Sequence, residues 1–209
     1  MNKFRLLLLV FFAAVGFASG QAFKNAANPE KVFEDLRKAS QAVNSIQAAF
    51  TEEKFLSVLK KPEHSSGFFY YKKNDKMRWE QKMPVNYVIL INGDRMRVQE
   101  AGKEKNVRQA GRMAAQIKEL MIGLVNGDFQ KNKAFSQSCL ENSEQYMVVL
   151  TPVNRRLKNI YSKITLVFPK STLHLKELSF FEKGGDKSVM KFQNEKFNQT
   201  IDDSLFLNL

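Results

Sequence analysis

The sequence predicts a mainly β protein, built as one antiparallel sheet with helices gathered on one face. Three observations carry this. Short apolar segments follow one another with tight turns between them, notably at Asn92-Gly93-Asp94 and Gly184-Gly185-Asp186, and strands joined in this way form an antiparallel meander. Helical periodicity occurs in two places, near residues 29–43 and 111–127. A helix must bury its apolar stripe, and a sheet its apolar face, so the two stack as layers.

The elements follow in order. Residues 1–20, MNKFRLLLLVFFAAVGFASG, read as a secretory signal peptide: Lys3 and Arg5 precede an apolar run from Leu6 to Val15, and Ala18-Ser19-Gly20 supplies small residues for cleavage. The run is too short to span a bilayer comfortably. A cleaved, exported protein is expected, with residues 21–209 as a single domain. Without Lys3 and Arg5 the 33 basic residues become 31 against 21 acids, a net charge of about +10. Such a charge suits a diffusely solvated surface, an anionic membrane or an acidic partner; export argues against nucleic acid. The single cysteine, Cys139, excludes an intrachain disulfide and reads as a small buried thiol.

Asn28 caps and Pro29 opens a helix over about 29–43, where Val32, Phe33, Leu36, Ala39 and Val43 share one stripe. Strands are expected near 45–59, 66–73, 77–83, 86–91 and 95–101, with residues 102–105 turning the chain. The period then changes. Met113, Ile117, Leu120, Met121 and Leu124 recur at helical spacing on one face, and Asn126-Gly127 stops that helix. This face serves either a dry core or a ligand cavity; methionine is soft enough for the latter. Five further strands are expected near 133–140, 144–152, 159–169, 173–183 and 187–198, and an Ile-x-x-x-Leu-Phe segment closes the chain at 201–206.

Catalytic chemistry has no residues to start from. His64 and His174 stand apart from each other and from Cys139, so no metal-ligand spacing appears. Adjacent Glu52 and Glu53 point to opposite faces of a strand and cannot converge on one bond. No nucleophile elbow or phosphate-binding glycine loop occurs. A non-enzymatic protein without cofactor or metal is expected.

The stretch GFFYYKKNDKMRWE, residues 67–80, assigns the faces. Met77 and Trp79 share one parity, Arg78 and Glu80 the other. If the short turn preserves parity, Phe69, Tyr71 and Lys73 look inward and Phe68 and Tyr70 outward. A lysine near the inner rim needs water or helix-terminal carbonyls as partners.

In order along the chain, IQAAFTEE, the Gly67–strand–Trp79-x-x-x-x-Pro84 pattern, VILINGDRM, the late hairpin LHLKELSFFEKGGDKSVMKFQ and the closing KFNQTIDDSLFLN resemble the periplasmic outer-membrane lipoprotein carriers of the LolA type. The resemblance covers nearly the whole chain after residue 20. It implies an unclosed β-barrel of about eleven antiparallel strands, covered by an N-terminal helix and an inserted amphipathic lid helix. It also implies a monomeric carrier that takes acylated lipoproteins from an inner-membrane lipoprotein-releasing ABC transporter and gives them to an outer-membrane lipoprotein receptor. The candidate acyl-binding set is Phe33, Leu36, Phe69, Tyr71, Met77, Trp79, Ile89 and Ile91, with Met113, Ile117, Leu120, Met121 and Leu124 from the inserted helix. Lys73 matches the family's arginine that holds the lid shut, and lysine lacks arginine's planar fork of donors. Asn74 stands where the family usually has proline, and Glu52 where it usually has glutamine. A lipid-responsive regulator, or a binder of other lipids, is the alternative on the same fold.

Overall fold

The computed structural model describes residues 22–106, 119, 122–125, 127, 129 and 132–209. The signal-peptide segment and Met113, Ile117, Leu120 and Met121 lie outside the described residues. Among the described residues twelve strands, β1 (Lys24–Asn25), β2 (Ser45–Phe55), β3 (Glu63–Lys72), β4 (Lys76–Met83), β5 (Tyr87–Asn92), β6 (Arg95–Glu100), β7 (Lys103–Lys105), β8 (Phe135–Glu141), β9 (Gln145–Pro152), β10 (Tyr161–Pro169), β11 (Glu177–Glu182) and β12 (Lys187–Phe197), form one antiparallel sheet in the order β1-β8-β9-β10-β11-β12-β2-β3-β4-β5-β6-β7. Its two edges, β1 (Lys24–Asn25) and β7 (Lys103–Lys105), do not pair with each other, so the barrel is unclosed. The joint between its halves is β12 (Lys187–Phe197) against β2 (Ser45–Phe55), which brings late and early chain together with Phe192 opposite Phe50.

Helix α1 (Pro29–Gln41) begins where expected: Asn28 Oδ1 accepts from the Lys31 amide at 3.1 Å, and Pro29 occupies the first turn. Val32 and Leu36 are buried against the sheet. Its entry is pinned by β1, since the Ala26 amide donates to the Cys139 carbonyl of β8 (Phe135–Glu141) and the Ala27 amide to Glu141 Oε1, both at 2.9 Å.

Several boundaries differ from the sequence expectation. Strand β2 ends at Phe55, short of residue 59, because the chain turns away with the Ser57 amide donating to Asp186 Oδ1. Residues 103–105 form an edge strand where a turn is expected. A short helix, α2 (Arg155–Ile160), replaces the start of the strand expected from 159, because Asn154 caps it by accepting from the Arg156 amide. Strand β10 (Tyr161–Pro169) follows. The next strand, β11 (Glu177–Glu182), begins four residues later than expected, after Leu173 takes a positive φ of 58°.

One feature of the outer face is not legible from alternation. After β12 the chain crosses the outside of β3 (Glu63–Lys72), β4 (Lys76–Met83) and β5 (Tyr87–Asn92) and ends in a 3-10 helix, Asp203–Phe206. Leu90, Ile201 and Phe206 form a second small core there, with Tyr70, Leu205 and Leu209 against it. Arg78, on the solvent parity of β4, is therefore buried. Its guanidinium donates to Glu80 and to the carbonyls of Leu205 (3.3 Å) and Asn208 (2.6 Å). Tyr70 is covered by this segment, whereas Phe68 is 43% exposed.

Candidate ligand cavity

Alternation places one side chain in two on the inner face. The three-residue turn 73–75 keeps parity, with Tyr71 opposite Met77 and Phe69 opposite Trp79. Asn74 and Asp75 supply its positive φ angles, which these short polar residues tolerate. The next strand continues the layer, with Ile89 opposite Trp79 and Ile91 opposite Met77.

Gly67 makes this wall possible. A Cβ there would stand 2.0 Å from the Glu80 carbonyl oxygen, at an irregularity in the β3–β4 register. Phe50 lies opposite Gly67 on β2 and packs its ring on Trp79, centroids 4.0 Å apart. Phe69 and Phe192 complete the cluster: Trp79 lies 6.1 Å from the first and 6.3 Å from the second, and those two lie 5.9 Å apart. Tilted and edge-on rings at these distances pack well.

Under α1 the wall leaves a cavity of about 70 Å³. Phe69, Met77, Trp79, Phe192, Phe168 and Leu178 line it from the sheet. Leu124 and Val125 line it from the helical stretch 122–125, Ser40 from the last turn of α1, and Val43 from just beyond the helix, which ends at Gln41 short of the expected residue 43. Gly127, at φ +72°, lets the chain after that stretch approach α1; a Cβ would meet Ser40 Cβ at 3.0 Å and Arg37 Cα at 3.1 Å. The mouth carries the polar groups. His174 stacks on Phe197 at 4.0 Å, and Glu195 accepts from Lys176 Nζ at 2.6 Å. Burial holds the His174 pKa below its usual range, against a small opposing pull from Glu195.

Of the candidate acyl-binding set, Phe69, Met77, Trp79 and Leu124 line this cavity. Phe33, Leu36, Tyr71, Ile89 and Ile91 belong to the same apolar cluster without lining it. Tyr71 is buried deeply enough to push its phenol up to about 12. Met113, Ile117, Leu120 and Met121 fall outside the described residues. Sequence reading missed Phe168, Leu178 and Phe192. Their signal was the alternation of the late strands, as in Met190-Lys191-Phe192-Gln193. Leu175 and His174 come from an irregular connection and carry no periodic signal.

Lys73 is exposed in its turn and does not line the cavity. Its Nζ donates to the Gln41 carbonyl, the last residue of α1, at 3.0 Å, while its amide donates to the Asn44 carbonyl at 2.8 Å. A cation at a helix C-terminus is favourable. Cys139 is buried, and burial raises its thiol to about 11, which leaves it unreactive as a nucleophile. Among the described residues no group of three His, Cys, Asp or Glu could hold a metal.

Among the described residues the site is an apolar slot between an aromatic sheet wall, the stretch 122–125 and the end of α1, with His174 and Glu195 at its mouth. A family model described as outer membrane lipoprotein carrier protein LolA matches residues 41–207. The chain belongs to the LolA family. Among solved structures, this LolA-family chain is similar to a LolA superfamily protein from Nitrosomonas europaea, at 14% identity and TM-score 0.44, over 87% of this chain and 98% of that one. It is also similar to the Pseudomonas aeruginosa MucA/MucB complex structure, at 14% identity and TM-score 0.44, over 84% of this chain and 59% of that one. A third is the Mycobacterium tuberculosis lipoprotein LppX, at 12% identity and TM-score 0.43, over 82% and 97%. No curated protein matches.

Proposed function

We propose that this chain is a periplasmic carrier that shelters the acyl chains of lipoproteins between its helices and its sheet and ferries them from the inner to the outer membrane. The observation that carries the reading is the apolar slot beneath α1 in a LolA-family fold, lined by Phe69, Met77, Trp79, Phe168 and Phe192. Each methylene moved out of water contributes about 0.8 kcal/mol, so long acyl chains need such a shield in an aqueous compartment.

At about 70 Å³ the slot holds a few atoms of a chain and no more. Loading therefore requires α1 to move off the sheet. Lys73 is the latch in this reading: its bond to the Gln41 carbonyl closes α1 over the cavity mouth. A single bond from a flexible lysine opens at low cost, which suits a carrier that must also release. An inner-membrane ABC transporter would load the protein and an outer-membrane receptor would unload it.

The test is native mass spectrometry of the protein purified from its own cell envelope, with photo-crosslinking from position 192. The expected result is a mass increment of an acylated protein, and crosslinks to acyl chains. Recovery of free phospholipid alone would favour a binder of other lipids. Crosslinks only to a membrane signalling protein would favour a regulator. Either result overturns the carrier reading.

A further inference from the structure

The antiparallel register gathers one set of connections at a single end of the barrel. The closing pairs Lys54 with Glu63, Lys187 with Phe55, Gln81 with Tyr87 and Tyr161 with Glu182 all lie there. The loops at that end are residues 56–62, 84–86, 101–102, 153–160 and 183–186. The cavity mouth lies at the opposite end, with Ile46, His174, Leu175 and Phe197.

Two features concentrate on this cavity-distal rim. Six of the eight exposed large apolar side chains among the described residues are there: Phe55, Val58, Leu59, Met83, Val85 and Val153, with Val58 86% exposed. Those same loops carry Lys60, Lys61, Arg155, Arg156, Lys158 and Lys183 against one acid, Asp186, whose carboxylate is occupied by the Ser57 amide. None of the six cations forms an ion pair within the described residues. Three strand-end acids stand behind the loops, Glu63, Glu100 and Glu182, and Glu100 is paired with Lys105. Lys187 and Lys163 extend the positive surface, each resting over the ring of Phe181.

The opposite rim is balanced. Its connections at 73–75, 93–94, 142–144 and 170–176 carry Lys73, Lys170 and Lys176 against Asp75, Asp94 and Glu144. Its three lysines are engaged, by the Gln41 carbonyl, Glu141 and Glu195 respectively. Among the described residues, the unpaired cations of the strand connections thus lie at the rim away from the cavity mouth.

We infer that the cavity-distal rim docks on an anionic bilayer surface. Leu59 directly precedes Lys60-Lys61, and Val153 lies just before Arg155-Arg156. Apolar tips beside cations are the chemistry of an interfacial anchor: the tips enter the acyl boundary while the cations stay level with acidic headgroups. Protein interfaces are depleted in lysine, and four of the six loop cations here are lysines. The placement leaves the cavity mouth facing away from the membrane. The inference concerns a different surface from the lipoprotein reading and does not depend on it.

The test is flotation of the full chain with sealed phosphatidylcholine vesicles, with and without phosphatidylglycerol, at low and high salt. Co-flotation is expected only with phosphatidylglycerol, and it should decline with salt. R155A/R156A should bind roughly 25-fold more weakly, at about fivefold per basic side chain near an anionic surface. V58S/L59S should lose binding even at low salt, with the melting curve unchanged because both side chains are exposed. K24A/K191A removes the same charge from other surfaces and should bind as the parent does. Absence of phosphatidylglycerol-dependent flotation overturns the inference, as does an equal loss in K24A/K191A. Full binding by V58S/L59S overturns the insertion of the apolar tips. The vesicles contain no lipoprotein, so failure here leaves the carrier reading intact.

Discussion

Replacing Phe192 by Ala probes the aromatic wall at the point where the two halves of the sheet meet. Phe192 is 6% exposed and lies 5.9 Å from Phe69 and 6.3 Å from Trp79, ring to ring. Truncating a buried Phe costs about 3–5 kcal/mol, made up of lost transfer energy and the void left behind. Phe192 already borders a cavity of about 70 Å³, so nothing adjacent refills the space and the upper half of that range applies. With a urea dependence of about 2 kcal/mol per molar, the unfolding midpoint should fall by roughly 2 M. Trp79 is the only tryptophan in the chain and sits in the same cluster, so its emission follows the transition directly, with circular dichroism as a second probe. The enlarged cavity should also hold a short apolar dye more tightly. A midpoint shift below roughly 0.5 M would mean that Phe192 is not packed into the wall, and the placement of the cavity would fall with it.

Three other outcomes are expected. K73A removes the cation from the end of α1 and should speed uptake of a fluorescent fatty acid roughly two- to fivefold, the range for a charge at a helix C-terminus; uptake at the parent rate would remove Lys73 as a latch. Because burial depresses the His174 pKa in the folded state, the unfolded chain binds the extra proton first. Stability should therefore decline as pH falls through about 6.5 and level off below the depressed folded value, and H174F should flatten that limb of the pH–stability curve. R78M strands the Leu205 and Asn208 carbonyls and breaks a nearly buried pair with Glu80, at a cost of about 3–5 kcal/mol. Hydrogen exchange should then show residues 201–209 opening before the sheet, and uniform protection would contradict the docking of that segment.

Local pattern was informative wherever a residue's neighbours along the chain are also its neighbours in space. The stripe of α1, a short parity-preserving turn between β3 and β4, and the alternation from Phe69 to Trp79 are of this kind, because a hairpin pairs residues only a few positions apart. Alternation also marked Phe192, though without β12 placed beside β2 nothing linked it to Trp79. The short helix Arg155–Ile160 escaped detection because its one signal is the Asn154 cap. Tyr70 and Arg78 read as solvent-facing by parity, and the closing segment covers both.

By itself the sequence determined the antiparallel meander, the first helix, the inward face of β3 and β4, and an apolar surplus without catalytic groups. These depend on periodicity, turn chemistry and residue type, which act over a few residues. Only the tertiary structure decided that β12 joins β2, that the tail shields Arg78, that Lys73 bonds the end of α1, and that unpaired cations gather at the rim opposite the cavity mouth. Each of those brings together groups far apart in the chain, and the pairing energy that selects them exists only once the sheet has closed its long-range register.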